Sequence, residues 1–456
     1  MRLRRAIRVF PPPGWVLATV LLALSGCASY SDSFSVIEND MAAQNFGAAL
    51  QAFEKQRYPK RDQVVYLLNK AMLERMSGDF AASNRTFEAA KASMDELYGV
   101  SIREQALSFA INDATRSYTG ETYEQVLVHL YTALNYLQLG DLIDARVEAL
   151  QVDERLREIA QKIPESRYTE DALARYLTGM IYEEMGERSD AMISYRQAYE
   201  AYRRYREKYG VTVPNYLKQD LLRLSQQLGL SQEMRQYKKE FQIEYWMSAE
   251  ELAQKGELVF ILHDGLAPIK REQAANVVDP ASGHIVRIAL PYFETRFTPV
   301  SGARVAAGDV SAPAELAEDI GAIAGKDLEA RMPGITARAV ARAVVKAQMA
   351  KAARDSARQQ NQNNAGAAVA ALAVEIAGLV TERADTRSWL TLPSRVYLAR
   401  VPLPPGTYTV KVDLLGGYGQ IVATQQYANI TIHQGAKTYL SPHWIAPNVT
   451  TPRRPQ

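Results

Sequence analysis

Residues 172–205 read ALARYLTGMIYEEMGERSDAMISYRQAYEAYRRY. The stretch divides at Gly186 into two helix-forming halves, each with apolar residues recurring every three or four positions. Gly179, Ala191 and Ala198 are small enough to let the two helices approach closely, while Tyr182 and Tyr195 fill the space toward the next unit. One such pair cannot bury its own apolar face, so the pattern should recur along the chain.

It does recur. Residues 126–159 place Ala133, Tyr136, Gly140-Asp141-Leu142, Ala145 and Ala149 at the same offsets, and residues 64–97 carry Leu67, Ala71, Gly78-Asp79-Phe80, Phe87 and Ala90. One period earlier Phe46, Ala49 and Phe53 put a degenerate first unit at 30–63, and Leu221, Leu222 and Gly229 mark a weak terminal unit at 215–248. The pattern resembles the tetratricopeptide (TPR) repeat, with a plain helical bundle as the alternative. Since 64 to 126 is not one period, extra helix or loop is expected around 98–122.

In a TPR the first helix of each unit lines a concave groove. Those positions are Val65, Leu68, Met72 and Met76, then Leu127, Leu130, Leu134 and Leu137, then Leu173, Tyr176 and Met180, with Glu183 and Glu184 beyond. This reads as an apolar groove with an acidic edge, suited to an amphipathic helix or extended peptide from a protein partner. Equally, the chain could fill the groove itself, with residues 335–380 as the filler.

After Met247 the pattern changes. Gly256 to Leu262 reads as a buried strand ended by the turn His263-Asp264-Gly265, and His284 to Phe297 holds one or two more. Arg395–Val401, Thr407–Val412 and Ile421–Ile432 complete a small β domain, a sandwich or half-barrel. An Ala-rich hairpin is inserted in it, Ala337–Arg358 and Ala365–Val380, the second arm broken by Glu375 and too short to span a bilayer. The fold class is thus α+β: an all-α TPR-like solenoid at 27–248, a β-rich domain at 249–334 and 384–445, the helical insertion at 335–383, and a disordered tail at 446–456.

The first 26 residues are a signal peptide, with Arg2, Arg4, Arg5 and Arg8 before the apolar run Trp15–Leu24. Its ending, Leu24-Ser25-Gly26-Cys27, resembles the bacterial lipobox residue for residue. The resemblance implies a diacylglycerol on the Cys27 thiol, cleavage before Cys27 and acylation of the new amino group. Several chains make such an anchor stable, each buried CH₂ contributing ~0.8 kcal/mol. Ala28 in place of Asp favours the outer membrane, periplasmic side, by analogy with enteric sorting. Cys27 is the single cysteine, so the mature chain holds no intramolecular disulfide. The full chain has 53 basic and 51 acidic residues; losing the four arginines leaves 49 bases against 51 acids, no field to attract nucleic acid.

Tyr136-Leu137-Gln138-Leu139-Gly140-Asp141 with Ala145-Arg146-Val147-Glu148-Ala149 resembles an uncharacterised family of bacterial TPR-containing outer-membrane lipoproteins. So do Gly256-Glu257-Leu258-Val259 with Ala267-Pro268-Ile269-Lys270, and Ala384-Asp385-Thr386-Arg387-Ser388-Trp389 leading to Leu392-Pro393. The resemblance implies an envelope protein with this layout and brings no catalytic residues. Asp385 and Arg387, two apart, suit a paired turn that sets Trp389 over the β domain; the alternative is a ligand-binding fork on an exposed loop.

Enzyme motifs fail. Gly321-Ala322-Ile323-Ala324-Gly325-Lys326-Asp327 is one residue short of a phosphate loop and has Asp where Ser or Thr belongs. His129, His263, His284, His433 and His443 show no metal-ligand spacing. The expectation is a cofactor-free, non-enzymatic envelope scaffold that binds a protein partner, with a regulator of a cell-wall synthase or a cell-wall hydrolase as alternatives.

Overall fold

The computed structural model describes residues 30, 34–109, 113–162, 168–278, 285–360 and 382–447. The signal segment, Cys27 with Leu24, Ser25 and Gly26, the expected arm 365–380 and the tail from 448 lie outside the described residues.

Helices α1 (Ser35–Ala42) and α2 (Phe46–Glu54) lead into four helical hairpins. They are α3 (Gln63–Met76) with α4 (Phe80–Phe109), α5 (Thr122–Leu139) with α6 (Leu142–Lys162), α7 (Ala172–Glu184) with α8 (Arg188–Tyr209), and α9 (Asn215–Gln227) with α10 (Ser231–Phe241). The material expected at 98–122 includes an extension of α4 to Phe109 and a short turn at Asp113–Thr115. Each hairpin turns at a glycine, Gly78, Gly140, Gly186 or Gly229, with φ between +70° and +85°. That left-handed backbone ends a helix at little cost only for glycine. In the first two hairpins the next residue starts the following helix: Asp79 accepts from the Ala82 amide at 2.8 Å, and Asp141 from the Asp144 amide at 3.1 Å. Within the third, a Cβ on Gly179 would stand closer than 3.0 Å to Cδ1 and Cε1 of Tyr195, so the glycine sets how near α7 and α8 lie.

The short α11 (Ala249–Ala253) precedes β1 (Gly256–Asp264). Then come β2 (Ile269–Val278), β3 (Ile285–Glu294), β4 (Gly302–Ala307), β5 (Val310–Asp319), α12 (Ile320–Gln360), β6 (Arg395–Leu403), β7 (Gly406–Leu415), β8 (Ile421–Ile432), β9 (Lys437–Leu440) and β10 (His443–Trp444). Eight strands form one sheet in the order β10-β1-β6-β5-β4-β7-β8, with β9 also on β1, while β2 and β3 pair as a separate ribbon. The sheet curls on itself rather than stacking as a sandwich. The chain leaving β8 returns onto the start of β1, where the His433 carbonyl leaves no room for a Cβ on Gly256.

Alternation decides which face goes where. Leu258, Phe260 and Leu262 of β1 meet Ala399, Val401, Leu403, Val410, Val412 and Leu414 inside the curl. Val259 and Ile261, with Val396 and Leu398 of β6, point the other way and join the core of the helical hairpins. β1 is therefore buried along its whole length. Two expectations are corrected. The helix after β5 starts at Ile320, not near 335, and runs through Pro333. Ile320, Ile323, Ala324 and Leu328 are buried ahead of that proline and give the early turns a packed face of their own. This places Gly321–Asp327 inside a helix. The β domain also holds β2, β4, β5, β9 and β10 beyond the strands expected.

Candidate functional site

The expected groove residues Leu68, Met72, Leu127, Leu130, Leu134, Leu137, Leu173, Tyr176 and Met180 range from 0 to 5% exposed and Val65 is buried, while Met76 is partly buried. The expectation of an open partner groove on the concave face is corrected. Burying a Leu or Met side chain is worth ~1.5–3 kcal/mol, and a stripe of such side chains with Tyr176 closes on whatever apolar surface the chain can offer. Residues 361–380 of the expected filler lie outside the described residues, and the surface the groove meets is supplied elsewhere. It is the outer face of β1 and β6 with Tyr439 of β9, plus Trp389 and Leu392 from the segment entering β6, all one core with the groove residues. The acidic edge is taken as well: Glu184 accepts from the Lys437 amide at 3.0 Å and the Tyr439 hydroxyl at 3.1 Å. Glu183 pairs with Arg223 at 2.6 Å and Lys437 at 3.5 Å.

Buried polar groups fix the register of sheet on solenoid. Arg400 of β6 donates two hydrogen bonds to Glu257, at 2.9 and 2.5 Å, and reaches Asp220 of α9 and, at 3.2 Å, the Tyr176 hydroxyl. Arg75 of α3 donates to Asn135 and, at 2.5 Å, to the Ser441 hydroxyl. Ser441 also lies 2.8 Å from His263 Nε2. Burial, then the nearby Arg75 charge, pushes the His263 imidazole well below its ordinary value, so it is neutral. Glu121, capping α5, pairs with Lys270 and Arg331. Burial alone would raise its carboxyl, but these two cations outweigh that and hold it at about 2. One group stands apart: Glu318, at a bulge in β5, is fully buried, and neither carboxyl oxygen has a hydrogen-bond partner among the described residues. Burial, with Asp171 and Asp319 near, raises its carboxyl well above the carboxylate range.

Asp385, Arg387 and Trp389 do come together. Arg387 donates to Asp385 at 2.9 and 2.6 Å, to Asp62 at 2.9 Å and to the Arg116 carbonyl at 2.9 Å, with its guanidinium 5.1 Å from the Tyr118 ring centroid. The guanidinium is buried and engaged within the chain, the paired turn rather than an open fork. Its target differs from the expectation: Trp389 faces the solenoid, edge-on to Phe87 and Tyr131, not the β domain. Its backbone amide donates to Glu124 at 2.7 Å and its indole to Thr391 at 3.0 Å.

With the concave face closed, the helical half keeps a cleft on its outer side. About 410 Å³ lies between α4, α5 and α6. On its wall Glu148 pairs with Lys91 at 2.7 Å and with His129 Nδ1 at 2.8 Å. Burial would raise Glu148, but the His129 hydrogen bond and the Lys91 charge prevail and lower it. Glu88, Asp95, Glu148, Glu154 and Glu158 stand against Lys91 and Arg155, an acidic balance. Beside it Ile143, Val147 and Leu150 form a stripe on α6 at i, i+4 and i+7, exposed by 68, 49 and 43%. The signal that sequence reasoning missed is this apolar stripe on the outward face of an otherwise charged helix.

No protein-family model matches the chain, and no curated protein matches it. Among solved structures it is similar to MamA, at 13% identity over 48% of this chain and 100% of that one, with a TM-score of 0.28. It is also similar to the Rap conjugation gene regulator of plasmid pLS20 in complex with the Phr* peptide, at 12% identity over 46 and 53% of the two chains, TM-score 0.28. A Rap protein complexed with competence and sporulation factor gives 11% over 49 and 57%, TM-score 0.29. These scores lie far below 0.5, and the TPR-like description rests on the helical hairpins of this chain.

Proposed function

We propose that this protein is a lipid-anchored adaptor of the bacterial envelope, fixed to the periplasmic side of the outer membrane by acyl chains on Cys27. It holds a protein partner in the cleft between α4, α5 and α6. The observation that carries this reading is the combination of an acidic cleft with the exposed Ile143-Val147-Leu150 stripe beside it. An amphipathic helix with Lys or Arg on one face and Leu or Ile on the other complements both. The occupied concave face, with its clamps, acts as the rigid scaffold behind that cleft. No activity is assigned to the His129–Glu148 pair, which Lys91 already neutralises.

A photo-crosslinking residue at Gln151, inside the cleft, tests this in living cells, with Arg203 on α8 as control. The expected result is a discrete adduct at Gln151 that is lost in Glu88→Lys with Glu154→Lys, the crosslinked peptide of the partner being rich in basic residues. The same adducts at Gln151 and Arg203, or an adduct indifferent to charge reversal, would overturn the reading. Cys27→Ser is expected to move the protein from the membrane to the soluble fraction.

A further inference from the structure

The strand pairings bring several chain segments to one end of the curled sheet. Asp264 at the end of β1 pairs with Arg395, which pairs in turn with Asp319, while Gly302 pairs with Leu415 and Leu415 with Ile421. The β7–β8 turn, Gly416 to Gln420, therefore projects from the same end as Asp264 and Gly265. Four interstrand steps separate β1 from β7, roughly 19 Å along the sheet.

Two exposed aromatic residues sit at this end. Tyr418 in the turn is 99% exposed and Ile421 beside it 56%. Phe297, in the connection from β3 to β4, is 76% exposed. Its neighbour Thr298 donates to Asp264 at 2.8 Å, which fixes it to the end of β1.

The start of the described chain arrives at the same place. Phe34, Ile37 and Met41 pack with Leu266 and Ile445, just past the ends of β1 and β10, with Ile269 at the start of β2, and with Leu390 ahead of β6. Arg296, next to Phe297, pairs with Glu38 of α1 at 2.8 Å. On the outward side of α1, Val36 is 62% exposed. Tyr30 hydrogen-bonds Asn69, whose carboxamide oxygen accepts from the Thr391 amide. Tyr30 lies three positions after Cys27, at most about 11 Å of chain.

We infer that the end of the sheet bearing Phe297, Tyr418 and Ile421 rests on the lipid bilayer that holds Cys27. The inference rests on the reading of Cys27 as an acylated anchor. A tether this short keeps that end within reach of the headgroups; Tyr settles where apolar and wet layers meet, and Phe and Ile offer an apolar face to the acyl boundary. The anchor then sets an orientation as well as a location: the opposite end of the sheet, with the turn at Gln434, faces away from the membrane.

The chemistry of Cys27 supplies the test. In the acylated protein Tyr418→Cys introduces the only free thiol, and so does Gln434→Cys at the far end. Each is labelled with an environment-sensitive dye and placed in vesicles of equal parts phosphatidylcholine and phosphatidylglycerol. The expected result is a blue-shifted emission at 418, quenched by lipids carrying a shallow nitroxide, and an aqueous, unquenched emission at 434. Aqueous emission at both positions would overturn the inference. Maleimide labelling of the parent protein separates the two readings: no free thiol leaves the anchor intact, whereas one free thiol shows that the anchor reading, and with it this inference, has failed.

Discussion

Replacing Gly179 by alanine sets two effects of known sign against each other. Alanine inside a helix is favoured over glycine by about 1 kcal/mol, so an exposed position would gain stability. Here the new methyl would stand closer than 3.0 Å to two carbons of the Tyr195 ring, where carbon contacts are optimal near 3.5–4.0 Å. The ring cannot simply swing aside. It is fully buried, packs 5.6 Å from Tyr176, and donates its hydroxyl to Glu183 at 2.8 Å. Overpacking of this kind costs about 1–3 kcal/mol, and losing a hydrogen bond to a charged group a further ~1.5–3. The sum exceeds the propensity gain, so Gly179→Ala should destabilise by roughly 2–4 kcal/mol. Urea unfolding followed by circular dichroism measures it, and Tyr195→Leu in the same chain should restore part of the loss. A Gly179→Ala protein as stable as the parent would show that α7 and α8 are not held at this separation.

Two further outcomes follow from the buried polar groups. Arg400→Met leaves Glu257 without its cation, while Asp220 keeps Arg223 at 2.7 Å; the expected loss is about 3–5 kcal/mol at neutral pH. Arg400→Lys should recover only part of it, because the bidentate geometry is lost, and an urea midpoint unchanged in Arg400→Met would refute the clamp. Glu318 binds its proton more tightly folded than unfolded, so its contribution is fully present below the unfolded value near ~4.3 and is lost as pH rises toward the folded one. The slope is up to about 1.4 kcal/mol per pH unit within that window. Glu318→Gln should thus gain on the parent as pH rises above the unfolded value near ~4.3, and a stability difference flat with pH would count against a buried, unpartnered carboxyl.

The helical hairpins were legible because two local signals agree at each: small residues where helices touch, and glycine where they turn. The Gly-Asp pairs at 78–79 and 140–141 encode a stop and a start within two residues. The apolar character of the positions read as concave has two explanations that sequence cannot separate, a partner or the chain itself. What closes the groove is a strand alternation, Val259 and Ile261 against Val396 and Leu398, whose second buried face is invisible until its neighbour is known. β4 and β5 escaped because GARVAA and VSAPAELAED are rich in alanine and carry a proline, poor strand formers taken alone; the sheet on either side holds them. The Pro333-Gly334 pair reads as a break, yet tertiary packing carries α12 through it. At the candidate cleft the individual residues were ordinary, and only their arrangement on three helices made a site.

The contacts that close the solenoid join the two ends of the chain: Asn69 with Thr391, Arg75 with Ser441, Gln44 with the Ile445 carbonyl. Ordinary repeat arrays consolidate unit by unit, each resting on the one before. This one cannot. As the chain emerges from its amino terminus onward, the first hairpin must wait for the last strands before its apolar side is covered. Until then its apolar side stays uncovered, and a chain cut short before β6 would leave Leu130, Leu134 and Tyr176 without the strands that bury them.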